Sequence, residues 1–317
     1  MAANRFVGGQ PVRFPADSVA QESTSMPMEH TACYADRAWH GPVEVVEHLP
    51  VARDTYRLRI LCPPIAQRIT PGQFVMLRLA GCNDPLLGRP LALYDVACDG
   101  AGRPQMVDVV YLAVGKFTRR LAELGVQARL EAWGPLGNGF AVEPAEHLLM
   151  VAGGIGQTPF MALAREALGL MQFGDPPRRP SRAAKTTLCY GARTADYLAG
   201  VDDFRRLGVD VRISTDDGSQ GQRGLVTDLI APAVAEGPRP CLVACCGPEK
   251  MMAAAAAEAR RLQIPCRLSL ESPMACGIGI CFSCVAKIRD SSGQWDYRRT
   301  CIEGPVFDAD DVELDSM

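Results

Sequence analysis

The sequence lacks the features of a membrane or secreted protein. No apolar run approaches the roughly 20 residues that a membrane-spanning helix needs, and residues 1–50 contain neither an apolar signal core nor a cleavage site. Residues 1–42 are rich in Pro, Ser, Thr and Met without periodicity, which predicts a flexible N-terminal extension. We therefore expect a globular protein of the cytoplasm.

The chain also lacks an excess of charge of one sign. Its net charge is -3, and its Lys and Arg residues are scattered rather than gathered in a basic stripe. Nothing in this pattern favours a nucleic acid or an anionic membrane as a partner. Histidine is scarce too, and its spacing is not that of a metal site. We interpret these histidines as surface or packed residues: His30, His40, His48 and His147.

Cysteine, in contrast, is abundant, with 13 residues. All but four stand singly in predicted strands or loops, as Cys189 does, which indicates reduced, buried thiols rather than a disulfide framework. The other four have the spacing C-x-x-x-x-C-x-x-C followed by a longer gap. They are Cys276, Cys281, Cys284 and Cys301.

This spacing is that of the ligands of a plant-type 2Fe-2S ferredoxin. Gly277 and Gly279 lie between the first two cysteines, and positive φ angles there would turn backbone N–H groups toward the sulfurs. The alternatives are a structural zinc site, which also uses four thiolates but usually has paired short spacings, and a disulfide pair. The four-residue first gap favours the iron–sulfur cluster.

The length of 317 residues and a hydrophobic content of 48% allow two or three domains. In residues 43–143, short alternating or apolar runs follow one another and one helix is predicted, at residues 118–124. This pattern predicts an antiparallel β-barrel with one added helix. The predicted strands are residues 43–46, 56–61, 74–79, 91–96, 107–112 and 128–133.

In residues 144–266, short buried strands alternate with helices, which predicts an open parallel α/β sheet with nucleotide-binding potential. The predicted strands are residues 148–152, 186–190, 211–214 and 242–246, and the predicted helices include residues 159–171 and 249–262. Residues 267–317 form a third, small domain that contains the four cysteines. A hairpin predicted at residues 288–299 brings the last cysteine back to the others.

A glycine turn follows the first strand of the α/β domain, in the sequence Gly-Gly-Ile-Gly-Gln-Thr-Pro at residues 153–159. Glycines allow close approach of a pyrophosphate, and the N-terminus of a helix offers it free N–H groups. A second strand ends at the same edge of the predicted sheet. Together the two strand ends predict a dinucleotide crevice formed by Gly153, Gly154, Gly156, Thr158, Cys246, Gly247 and Pro248. The alternative is that these glycines only make a tight turn.

In the barrel, Arg89 and the helix start at Gly115 and Thr118 form a candidate site for a flavin pyrophosphate. Taken singly, each is an ordinary surface arginine or helix cap. The order of motifs along the chain is more specific. Arg-Pro in the barrel is followed by Gly-Pro-Leu-Gly-Asn-Gly-Phe, the glycine turn, Cys-Gly-Pro-Glu-Lys-Met, the cysteine loop and Gly-Pro-Val-Phe.

From residue 43 to the C-terminus, this order resembles the electron-transfer subunit of dihydroorotate dehydrogenase B, within the ferredoxin-NADP reductase superfamily. The resemblance implies FAD in the barrel, NADH on the α/β domain and a C-terminal 2Fe-2S cluster. The flavin segments that it implies are Arg89, Pro90, Leu91 and Ala92; Val110, Tyr111 and Leu112; and Gly115, Phe117 and Thr118. Ala92, Leu112 and Phe117 replace the Ser, Arg and Gly that are usual in the family.

The resemblance also implies a mechanism and a partner. NADH gives two electrons as hydride whereas the cluster takes one, so a flavin stands between them. The implied acceptor is FMN in a separate catalytic subunit that oxidises dihydroorotate to orotate, in a heterotetramer. Asp216 and Asp217 after a strand end favour NADH over NADPH, although they also suit an ordinary turn. Glu271 is a candidate for the flavin pocket, and Phe282 for the contact with the partner.

Two alternatives stay open. A flavin and iron–sulfur subunit of a sulfhydrogenase or of an electron-bifurcating transhydrogenase has the same architecture. A redox sensor or structural metal-binding protein without turnover belongs to a different class, and two cofactor-binding domains argue against it.

Overall fold

The computed structural model describes residues 37–180, 182–290 and 292–314. Its N-terminal part is an antiparallel barrel built from β1 (Trp39–Ala52), β2 (Thr55–Leu61), β3 (Phe74–Leu79), β4 (Arg89–Cys98), β5 (Pro104–Leu112) and β6 (Arg129–Leu136). The barrel closes in the order β1, β2, β5, β4, β3, β6. Apolar residues alternate along these strands and fill the barrel, as Val43 and Val45 do on β1, which confirms the predicted barrel.

Two helices accompany the barrel, α1 (Pro63–Ala66) and α2 (Lys116–Ala122). Helix α2 is the predicted one, although it begins two residues before residue 118. Helix α1 has only four residues, too few to show a helical period in the sequence. The predicted extension lies outside the described residues up to residue 36, whereas residues 39–42 belong to β1.

The second part is an α/β sheet, formed by β7 (His147–Gly153), β8 (Lys185–Ala192), β9 (Asp210–Thr215), β10 (Gln222–Arg223), β11 (Cys241–Cys246) and β12 (Cys266–Ser269). Its helices are α3 (Phe160–Ala167), α4 (Val201–Arg206), α5 (Ile230–Ala235) and α6 (Glu249–Arg261). Among these residues no helix is long and apolar enough to cross a lipid bilayer.

The C-terminal segment adds the hairpin β13 (Val285–Arg289) and β14 (Trp295–Arg299), followed by β15 (Val306–Asp308). The sheet order is β10, β9, β8, β7, β11, β12, β15. Strands β7 to β12 run parallel, and β15 is antiparallel to β12. The fold class predicted from the sequence is thus confirmed, and the sheet takes its last strand from the cysteine-rich segment.

The barrel and the C-terminal segment pack against each other around a shared apolar cluster. Phe74, Met76 and Leu136 of the barrel contact Met274 and the buried thiols of the C-terminal segment. The Asn138 side-chain amide also donates a hydrogen bond of 2.7 Å to the Val306 carbonyl. These contacts fix the C-terminal segment between the barrel and the sheet.

All twelve cysteines in the described residues are free. Outside the four-cysteine motif, most are buried, as predicted. Cys98 at the end of β4 is the exposed exception.

Candidate functional site

A cavity of about 510 Å³ lies where the barrel, the sheet and the cysteine-rich segment meet. Strands β4 and β5 form one wall of this cavity, and the turn after β7 with the end of β11 forms a second. The third wall is residues 269–274, which lead directly to Cys276. A ligand in the cavity therefore lies within a few residues of the first predicted cluster ligand.

Most residues predicted for the flavin lie on this cavity, and so do two of those predicted for NADH. The predicted residues on its wall are Pro90, Leu91, Ala92, Val110, Tyr111, Leu112, Thr118, Thr158 and Cys246. The wall is mostly apolar, which suits a flat aromatic ring. The sequence analysis missed other lining residues, among them Ile155, Pro159, Ser269 and Leu270, because apolar or small neutral side chains carry no chemical signature.

Several predicted residues lie off the cavity wall: Arg89, Gly115, Phe117, Gly153, Gly154, Gly156, Gly247 and Pro248. Arg89 is exposed at the start of β4. The Gly115 N–H donates to Thr118 Oγ1 at 3.0 Å, which fixes the start of α2 beside the cavity. Phe117 is 2% exposed and fills the barrel core, so the bulky side chain that replaces the family's glycine packs inward.

Tyr111 is held by His48, one of the histidines that the sequence predicted to be surface or packed residues. His48 lies 2.7 Å from the Leu124 carbonyl through Nδ1 and 2.8 Å from the Tyr111 hydroxyl through Nε2. A carbonyl only accepts, so Nδ1 carries the proton and Tyr111 donates to Nε2. His48 thus orients a side chain on the cavity wall.

The glycine turn is built from one 3₁₀ turn at Gly154–Gln157, and α3 begins only at Phe160. A Cβ atom at Gly156 would lie 2.3 Å from the Cys246 carbonyl oxygen, so glycine is required where the ends of β7 and β11 meet. Gly154 has φ +55°, and a Cβ there would meet no atom within 4 Å. The turn therefore leaves open space beside Gly154, where a ligand can approach the backbone.

Cys246 and Glu271 lie on the same cavity. Burial raises the pKa of the Cys246 thiol, and the neighbouring Glu271 raises it further. Glu271 is exposed at the cavity, and the desolvation of its carboxyl group there raises its pKa. This position is consistent with the prediction that Glu271 lines the flavin pocket. That prediction depended only on its place in the sequence, just before the cysteine loop.

The four predicted ligands form two thiol pairs. Cys276 lies beside Cys281, and Cys284 beside Cys301. Across the described residues, no three His, Cys, Asp or Glu side chains converge closely enough to hold a single metal ion. A tetrahedral zinc needs four ligands around one ion, whereas a 2Fe-2S cluster takes two at each iron. The paired arrangement therefore fits the binuclear cluster.

The thiols are also prepared for ligation by their hydrogen bonds. The Ser283 hydroxyl lowers the pKa of Cys281 to about 6. The proximity of Cys284 and Cys301 lowers the pKa of Cys284 and raises that of Cys301, as expected for two thiols that share one proton. Since the thiolate is the ligating form, these contacts favour metal binding.

The backbone of the cysteine loop folds as the sequence predicts. Gly277 and Gly279 have φ angles of +72° and +82°. The Ile278 N–H donates to the Cys276 sulfur at 3.4 Å, and the backbone N–H of Gly279 acts to lower the pKa of Cys301. Trp133 of the barrel donates its indole N–H to the Cys276 carbonyl at 2.9 Å. The loop thus encloses the sulfurs with N–H donors and is anchored to the barrel.

The outer face of the loop is apolar and open. Ile280 and Phe282 are 73% and 62% exposed, and the Arg299 guanidinium lies 5.1 Å from the centre of the Phe282 ring. Phe282 thus faces outward, one of the two orientations that its sequence context allowed.

The two acidic residues after β9 differ in their surroundings. Asp217 accepts hydrogen bonds from the Ser219 N–H and hydroxyl, and the hydroxyl bond lowers its pKa. Asp216 is exposed at the end of the strand. Asp217 therefore serves the turn, and Asp216 is the better candidate for a ribose contact.

A barrel and a parallel sheet around an apolar cavity, joined to two cysteine pairs, define a flavin and iron–sulfur oxidoreductase of the ferredoxin reductase class. The family model of the iron-sulfur cluster binding domain of dihydroorotate dehydrogenase B matches residues 271–313, and that of the oxidoreductase NAD-binding domain matches residues 150–257. The chain belongs to the family of the electron transfer subunit of dihydroorotate dehydrogenase B (NAD(+)).

Two relatives illustrate this membership. The electron transfer subunit from Desulforamulus reducens is 34% identical over 259 residues, which cover 81% of this chain and 92% of the relative. That from Shouchella clausii is 33% identical and covers 88% of this chain and 100% of the relative. The cofactors of the chain are accordingly an iron–sulfur cluster, FAD and NAD(H).

Solved structures agree with the fold. The NADH-dependent reduced ferredoxin-NADP oxidoreductase, studied for flavin-based electron bifurcation, has a TM-score of 0.70 and 28% identity, covering 86% of this chain and 90% of its own. The ferredoxin reductase of carbazole 1,9a-dioxygenase has a TM-score of 0.57 and 21% identity over 72% of this chain and 67% of its own, and shows the fold alone.

Proposed function

We propose that this chain passes electrons between NADH and a separate catalytic subunit that oxidises dihydroorotate to orotate, through FAD and a 2Fe-2S cluster. The observation that carries this proposal is the continuity of one segment. Residues 269–274 line the large cavity, and the first cysteine of the two thiol pairs follows two residues later. The flavin pocket and the cluster loop therefore share a wall.

In this proposal FAD occupies the large cavity, held by the three barrel segments that contain Pro90, Tyr111 and Thr118. Bound FAD would accept hydride and release single electrons. Leu91, Ala92 and Val110 provide an apolar wall that excludes water from the ring, and Tyr111 is kept in place by His48. Gly115 and Thr118 set the start of α2 beside the cavity.

NADH is proposed to bind along the ends of β7 and β11. The backbone of Gly153, Gly154 and Thr158 would face the pyrophosphate, while Gly156 keeps the turn against Cys246 and Gly247. The nicotinamide would then lie near Cys246 and Pro248, opposite Glu271. The raised pKa keeps a proton on Cys246 at neutral pH. We expect NADH rather than NADPH, because exposed Asp216 would repel a 2′-phosphate.

The partner is proposed to be an FMN-containing catalytic subunit, joined to this chain in a cytoplasmic heterotetramer. The names of the relatives describe an electron transfer subunit, which implies a catalytic partner. The exposed apolar side chains of Ile280 and Phe282 lie beside the cluster ligands, where electrons must leave. We therefore place the partner over this loop.

Reconstitution tests this function. NADH-linked orotate turnover should appear when the chain and the cognate catalytic subunit are mixed, and should be absent with either alone. The isolated chain should still oxidise NADH with an artificial acceptor. Lack of association and of orotate turnover would overturn the proposed partner, and lack of NADH oxidation would overturn the enzyme itself.

A second candidate is the electron-transfer subunit of a bifurcating transhydrogenase. It is favoured by the 28% identity and TM-score of 0.70 with the NADH-dependent reduced ferredoxin-NADP oxidoreductase. NADH-dependent reduction of ferredoxin, together with failure to bind the catalytic subunit, would support it.

A further inference from the structure

A second cavity, of about 10 Å³, lies on the seam between the barrel and the sheet. The barrel contributes Val51, Arg57, Tyr94 and Val110 to its wall, and the α/β part contributes Gln157, Ala199, Gly200 and Asp203. Its volume is close to the minimum that holds one water molecule. The wall contains enough polar side chains to bind one.

Polar atoms around this cavity lack partners. Gln157 is 0% exposed, and neither its amide nitrogen nor its amide oxygen has a hydrogen-bond partner in the described part of the chain. The same holds for Arg57 Nε. In native proteins, buried groups of this kind are almost always bonded to protein or to an ordered water. Two side chains from opposite sides of the seam thus need the same kind of partner.

Asp203 lies across the seam but gives no hydrogen bond to these unpartnered atoms. Its Oδ2 lies 3.4 Å from the Tyr94 hydroxyl and 3.9 Å from Arg57 Nη1. Arg57 Nη2 is already bonded to Glu47 at 2.8 Å. The 3.9 Å between Arg57 Nη1 and the Asp203 carboxylate is a separation at which a bridging water is expected. Such a water would accept from Arg57 and Gln157 and donate to the Asp203 carboxylate.

We propose that the small cavity binds one structural water molecule that joins Arg57 to Gln157, and that Gln157 is thereby a positioning residue for the glycine turn. Gln157 closes the 3₁₀ turn, and its neighbours Ile155 and Thr158 line the large cavity. Because Arg57 is fixed on β2, the water sets the position of the turn relative to the barrel. The effect on bound NADH rests on the function proposed above, whereas the water site does not.

The water itself is tested by crystallography on the FAD-loaded protein at a resolution that shows ordered solvent. Wild-type protein should contain one water within hydrogen-bond distance of Arg57 Nε and the Gln157 amide. Gln157→Leu, which removes the amide, should lose it. A dry cavity in the wild type would overturn the proposal, whatever the protein does with NADH.

The positioning role is tested by following flavin reduction after rapid mixing with NADH. Because the turn shifts, Gln157→Leu should raise the NADH dissociation constant and lower the limiting rate by about tenfold to a hundredfold, the size expected for a misplacement of about 1 Å. Gln172→Leu, the same change at an exposed site, should alter neither. Equal limiting rates in the two variants would overturn this role.

Gln157→Met serves as a second variant if the leucine variant does not fold, and the same result is expected. A wild-type protein that does not bind NADH would contradict the proposed function and leave the crystallographic test of the water intact.

Discussion

The cysteine loop and the glycine turn both depend on glycine, but for different reasons. In the loop, Gly277 and Gly279 have positive φ, and a Cβ on either would also collide with a neighbour, at 2.7 Å from Met76 and 1.9 Å from Ile302. In the turn, the two requirements fall on different residues. Gly156 has no room for a side chain, whereas Gly154 has positive φ and open space.

The cysteine loop is therefore a packed site, whereas the glycine turn is partly open. The loop is packed against Met76 on one side and Ile302 on the other, which leaves its backbone little room to move. The turn is tight only where two strand ends meet and is open where a ligand must approach. A glycine motif in a sequence therefore does not say which requirement each glycine meets; the packing does.

The largest effect is expected from Cys281→Ser in the loop. This change removes one ligand from the first thiol pair, so iron content should fall and electron delivery to the partner should drop by at least about 100-fold. FAD should remain bound, because the cavity and the cluster use different side chains. Iron analysis measures the iron content, and visible absorbance measures the bound FAD. Cys98→Ser, at an exposed thiol outside the site, is the control, and full iron content in Cys281→Ser would contradict the ligand assignment.

Gly279→Ala and Gly293→Ala sharpen the comparison, since both glycines have φ +82° but only Gly279 is packed. Gly293→Ala should cost about 1–2 kcal/mol, the price of a left-handed alanine. Gly279→Ala should cost more and reduce the iron per chain, because its methyl group meets Ile302. Thermal unfolding and iron analysis compare the two. Equal losses would mean that backbone strain alone matters in the loop.

Gly156→Ala and Gly154→Ala make the corresponding test in the turn. The methyl group at Gly156 would meet the Cys246 carbonyl, so the turn must move and the KM for NADH should rise by about tenfold or more. Gly154→Ala adds strain of about 1–2 kcal/mol but no clash in the free protein. If NADH contacts this position, its KM should rise while FAD content stays constant. An unchanged KM in both variants would show that the turn is only structural.

The smallest effect is expected from a change of pH, which acts on the stability of the protein through a histidine at the start of β7. His147 begins β7, and burial lowers its pKa to about 4, from 6.5. Because the unfolded chain binds the proton more readily, stability should be complete above pH 6.5 and decline as pH falls toward 4. Thermal unfolding of His147→Gln should show a flatter pH dependence over this range. Identical curves for the two proteins would assign the acid sensitivity to other groups.

The sequence predicts the barrel and the central sheet well because their strands alternate or are continuously apolar. It predicts β1 only at residues 43–46, since the charged Glu47 and the proline Pro50 interrupt the pattern in the rest of a 14-residue strand. Strands β12 and β15 have four and three residues and pair across the cysteine-rich segment. Short strands with distant partners leave no local signal.

The candidate site also contains residues that the sequence predicts and residues that it does not. Spacing predicts the cluster ligands, because the loop is local, but not which cysteines form pairs. The cavity wall at residues 269–274 was indicated only by Glu271, and Gln157 gave no signal within a glycine motif. Their importance depends on burial and on neighbours from distant strands, which a single sequence does not display.

The antiparallel strand β15 has a consequence for how this protein can be divided. It comes from beyond the cluster, yet it completes the edge of the nucleotide-binding sheet. A chain cut after residue 266 would lose β15 together with most of β12 and expose β11, whose residues are almost all buried. An uncovered apolar edge of this kind invites aggregation. The iron–sulfur part therefore cannot be removed as an independent domain, because its strand β15 covers the edge of the nucleotide-binding sheet.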